Sequence, residues 1–82
     1  MAVNQLAYYA QRVAETGGLV HIMMLTNLRD YIKQTPEESL LNDIKETYRH
    51  AQLRAMWEAG LNSTLQQAVL ARLEELEARR TA

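Results

Sequence analysis

Apolar residues recur along this chain three and four positions apart, the period of an amphipathic helix, and the breakers Gly17-Gly18, Pro36 and Gly60 cut the pattern into four segments. The first runs from 3 to 16. Val3, Leu6, Ala7, Ala10, Val13 and Ala14 share a stripe edged by Tyr9, while Asn4, Tyr8, Gln11 and Glu15 lie opposite. The glycine pair suits a left-handed C-terminal turn and is expected to end this helix. The second segment, 19 to 34, carries Val20, Met24, Leu28 and Tyr31 on one stripe, flanked by Leu25 and Ile32. Leu19, Ile22 and Met23 fall on its polar side, so its first turn is apolar all round. A short strand over 19 to 25 is the competing reading, but nothing else in the chain would pair with it.

Thr35-Pro36-Glu37-Glu38 combines an N-cap threonine, a proline at the first helical position and a glutamate at N3. It predicts one long helix over 36 to 59 with Leu41, Ile44, Tyr48, Ala51 and Ala55 as its core stripe and Leu40 alongside. Ser63-Thr64-Leu65-Gln66 reads as a second capping box, opening a helix over 63 to 80 through Leu65, Val69, Leu73 and Leu76, widened by Leu70. Linkers of one to three residues favour antiparallel neighbours. The expected fold is all-α: a compact single domain over 1 to 82, built as a bundle of four helices with the third longest.

Composition sharpens this picture. An 82-residue chain has room for one modest core, and with no cysteine it has neither a disulfide nor a thiolate metal site to staple it. Two histidines, His21 and His50, are too few for a structural zinc site. Self-association or a partner is the remaining common device, and a dimer or larger assembly is expected. At 48% hydrophobic and 23% charged, the chain is too apolar for disorder. The apolar run from Leu19 to Leu25 is far short of the roughly 20 residues that span a bilayer, and no signal-peptide pattern follows Met1. A cytoplasmic location is expected, with no membrane role.

Candidate chemistry is thin. Glu46 and His50 would share a face at i,i+4 on a continuous third helix, but a carboxylate metal site needs further ligands on a second helix. His21 lies beside the apolar stripe with no carboxylate at helical spacing, which points to a structural, partly buried histidine. Ser39, Ser63 and Thr64 sit near helix starts, where capping accounts for them. Gly17-Gly18 lacks the glycine spacing and the Lys-Ser/Thr of a phosphate loop. No enzymatic activity, cofactor, metal or small-molecule substrate is expected.

DNA binding is the alternative to weigh, as a small helical transcriptional regulator. A net charge of −1 supplies no field for a phosphate backbone. After Gly17-Gly18 a reading helix would present Leu19 to Met24, which are core-type side chains. After Gly60 it would present Gln66, Gln67, Glu74, Glu75 and Glu77. Lys45, Arg49 and Gln52 make only a small basic strip. Nucleic acid is therefore not the expected partner.

Once each stripe is assigned to the core, seven apolar residues remain: Tyr8; Leu19, Ile22 and Met23; Leu53, Met56 and Trp57. Clusters of Trp, Tyr and Met are what interfaces enrich. The expectation is a non-enzymatic protein-interaction module, an adaptor, anti-activator or inhibitor of a larger protein, with these seven residues forming its partner or dimer interface. By analogy of size, an accessory protein of bacterial or phage type fits. No motif carries a resemblance to a known family.

Overall fold

The computed structural model describes residues 3–81 and contains five helices, not four: α1 (Gln5–Glu15), α2 (Gly18–Gln34), α3 (Glu37–Glu46), α4 (His50–Ala59) and α5 (Ser63–Thr81). No strand occurs among the described residues, so 19 to 25 is helical. α1 packs against α2, α3 and α4, and α5 closes over α3 and α4. The radius of gyration is 12.3 Å, close to the roughly 12 Å of a compact chain this long.

The expected long third helix is broken at Thr47–Arg49, where the backbone turns extended although no proline or glycine is present. Residues distant in sequence make the break. Asn4 Nδ2 donates to the Asp43 carbonyl at 2.9 Å and reaches the Thr47 hydroxyl at 3.3 Å. Thr47 Oγ1 donates back to the same carbonyl at 2.8 Å, and Arg72 Nε donates to the Thr47 carbonyl at 2.7 Å. Carbonyls that a continuous helix would pair internally are thus bonded by side chains of α5 and of the residue before α1. Thr47 and Tyr48 are weak helix formers, which lowers the cost of stopping there.

The break resets the helical phase, and this corrects the core assignment. Leu53 and Met56 become fully buried, with Ala55 and Ala59 beside them, whereas Tyr48 (67% exposed) and Ala51 face outward. The remaining core is Leu6, Ala10, Val13, Met24, Leu28, Leu40, Ile44, Leu65, Val69 and Leu76. Val3, which precedes α1, and Val20 and Ala14 are exposed and leave the expected stripes.

Three helix ends also differ from the sequence patterns. Thr35 does not cap α3; its hydroxyl donates back to the Tyr31 carbonyl at 2.6 Å and closes α2. The cap of α5 is Asn62, whose Oδ1 accepts from the Leu65 N–H at 2.9 Å and whose Nδ2 donates to Glu37 at 2.9 Å. α1 ends on Thr16 in extended backbone, and the left-handed residue is Gly18 (φ +60°), which opens α2. A side chain at Gly18 would be strained. Gly60 (φ +100°) makes the α4–α5 turn in the same way.

Candidate functional site

α2 packs chiefly on α1 and α4, so only one of its faces is covered. His21, Met24, Leu25, Leu28 and Ile32 turn inward, and Tyr31 stacks at 5.0 Å on Tyr9 of α1. The uncovered face begins with a ridge of four apolar side chains: Leu19 (80% exposed), Val20, Ile22 and Met23 (each 60%, Val20 50%). From Gly17 through Leu28 the sequence has no Asp, Glu, Lys or Arg.

Beside this ridge, α4 and α5 diverge from the Gly60 turn and leave an apolar groove of about 470 Å³. Leu53 and Val69 form its floor, Trp57, Leu70 and Leu73 its walls, and Arg54 and Glu58 its polar edge. Trp57 is 44% exposed and Leu70 is similarly open. The size falls within the range of pockets that accept a ligand or a partner's side chains.

Ridge and groove meet along a seam that ties α2 to the end of α4. His21 Nε2 bonds Glu58 Oε1 at 2.7 Å, and Arg29 Nε donates to the Ala59 carbonyl at 2.9 Å. His21 Nδ1 faces the Val13 and Thr16 carbonyls, both at 3.1 Å, and so caps the C-terminus of α1. Both ring nitrogens face acceptors, so the doubly protonated imidazolium satisfies the whole arrangement. The Glu58 bond pushes the His21 pKa above its ordinary value; desolvation works against it and the two carbonyls support it. A carboxylate partner for His21 was not visible in the sequence because it lies 37 residues away.

The seven candidate interface residues therefore separate into three groups. Leu19, Ile22 and Met23 form the ridge, joined by Val20, and Trp57 stands in the adjoining groove. Leu53 and Met56 are buried at 0% exposure and leave the set, Leu53 contributing only the groove floor. Tyr8 lies elsewhere, lining a polar groove of about 460 Å³ with Tyr48, Arg49, Gln11 and Gln52, its ring 5.9 Å from the Arg12 guanidinium. Leu70 was missed because its place on α5 read as part of the core stripe.

The other candidates resolve into structural contacts. The helix break separates Glu46 from His50, whose Nε2 lies 3.8 Å from Glu77 on α5. Among the described residues no three His, Asp or Glu side chains converge as a metal site would require. Asp43, beside the break, has its pKa raised by burial, lowered by the Leu6 N–H and raised again by Glu46, a net upward shift. No described helix is long and apolar enough to cross a membrane. Set against known proteins, the chain matches no family model, and neither a curated protein nor a solved structure is significantly similar to it.

Proposed function

We propose that this chain is a non-enzymatic protein-interaction module, an adaptor, anti-activator or inhibitor, that docks through the α2 ridge and the Trp57 groove. The observation that carries this reading is the ridge itself: four adjoining apolar side chains, each at least half exposed, in a stretch without a charged residue. Single exposed apolar residues are ordinary, but a contiguous patch beside a tryptophan-walled groove has the composition of an interface centre. The polar rim such a centre needs is supplied by Arg54 and Glu58.

A DNA-binding role draws on one feature, the three-residue link that places Tyr48 and Arg49 before α4 in a helix-turn-helix arrangement. Glu46 directly precedes that link, Glu77 stands 3.8 Å from His50, and the chain's net charge is −1, so the electrostatics favour a protein partner. The test is a photo-crosslinking residue placed at Ile22, at Trp57 and, as control, at the exposed Glu38 of α3. The reading expects a defined protein adduct from the first two positions and none from the third. Equal adducts from all three, or none from any, would overturn it, and a salt-sensitive mobility shift with duplex DNA would favour the alternative.

A further inference from the structure

Resting on that reading of the surface, we infer that its occupant is a second copy of this chain, with the ridge of each copy seated in the α4–α5 groove of the other. Ridge and groove lie side by side, divided by the His21–Glu58 and Arg29–Ala59 seam. A twofold axis running along that seam carries each ridge onto the opposite groove, which is the self-complementary geometry of a closed dimer. A protruding row of Leu19, Ile22 and Met23 and an apolar groove are complementary in shape and in chemistry.

Area and charge both favour this occupant. Leu19, Val20, Ile22, Met23, Trp57 and Leu70 are each 44–80% exposed. At about 100 Å² apiece they offer about 600 Å² per copy, the upper end of what a monomer leaves open. The reciprocal contact would then cover about 1,200 Å², the lower bound of a specific interface. Either feature alone, pairing only with itself, would fall well short. The ridge has no charged residue, so two copies approach without like-charge repulsion. At the groove edge Arg54 and Glu58 have opposite signs, so the edge presents no net charge to the incoming apolar ridge.

The chain contains no cysteine, which makes the pairing directly readable. Met23→Cys and Leu70→Cys are prepared separately, and disulfide formation is followed for each alone and for the mixture. Rapid crosslinking in the mixture, with little in either variant alone, is the expected result. Sedimentation provides the second readout: the wild-type chain should run at twice its 9.4 kDa mass at high micromolar concentration. Met23→Lys and Leu70→Glu should each lose the dimer while keeping the wild-type circular dichroism, and mixing them should restore it through the Lys–Glu pair. Fastest crosslinking in Met23→Cys alone, or a Leu70→Glu variant that remains dimeric, would overturn ridge-in-groove packing. A monomeric wild type would overturn the second copy as occupant and would leave the docking surface itself to the Ile22 crosslinking test, where an adduct with a different protein separates the two outcomes.

Discussion

Asn4 is placed to do two separable things, and substituting it measures how the helix break is held. Its Oδ1 accepts from the Ala7 N–H at 3.0 Å and caps α1, while its Nδ2 donates to the Asp43 carbonyl at the end of α3. Loss of an N-cap costs about 0.5–2 kcal/mol. Loss of one neutral hydrogen bond costs about 0.5–1.5 kcal/mol. The Asp43 carbonyl keeps the Thr47 hydroxyl, so it is not orphaned and no larger penalty applies. The 3.3 Å approach to Thr47 Oγ1 is long and adds little. Asn4→Ala should therefore destabilise by about 2 kcal/mol, with the two contributions taken from the same central values. Asn4→Ser keeps a capping oxygen but cannot reach Asp43, and should cost about 1 kcal/mol. For a domain of this size each kcal/mol lowers Tm by about 4–8 °C, so the variants should melt about 8–16 °C and 4–8 °C below wild type. Urea unfolding followed by circular dichroism, with an unchanged m-value, measures both. Equal losses from Ser and Ala would show that capping contributes nothing. A Ser variant as stable as wild type would show that Asn4 does not brace the break.

Other substitutions test the corrected core, the caps and the seam. Met56→Ala should cost about 2–5 kcal/mol because the side chain is fully buried, and Trp57→Ala should cost less although tryptophan is larger. The reverse order in dilute samples would place Trp57 in the core. Asn62→Ala should cost about 0.5–2 kcal/mol through loss of the α5 cap, with Ser63→Ala within about 0.5 kcal/mol of wild type; equal effects would return the cap to Ser63. For His21, folding raises the pKa, so its stabilising contribution is complete below the ordinary value of 6.5 and lost as pH rises through the higher folded value. The wild-type urea midpoint should fall across that window relative to Glu58→Gln, and parallel pH profiles for the two proteins would rule the ion pair out.

How much was legible in the sequence depends on the range of the interaction that decided each feature. Helical period, the absence of strands among the described residues, the ends of α2 near Gln34 and of α4 at Gly60, and the ridge of Leu19, Ile22 and Met23 all follow from residues within a turn or two of one another. Those are local properties: side-chain spacing sets amphipathicity, and glycine sets where a left-handed turn is possible. The break at Thr47–Arg49 has no such local signal. It is set by Asn4 and Arg72, 43 and 25 residues from Thr47, which bond carbonyls that a continuous helix would have kept for itself. That one tertiary choice rotates α4, sends Leu53 and Met56 into the core and turns Tyr48 and Ala51 out. The caps failed for a related reason. Thr35 and Ser63 had the right side chains for capping, but the chain entered α3 and α5 along paths that gave Asn62 the α5 N–H and turned Thr35 back onto Tyr31. Which apolar residues the protein exposes was thus settled only when distant polar side chains fixed where each helix stops.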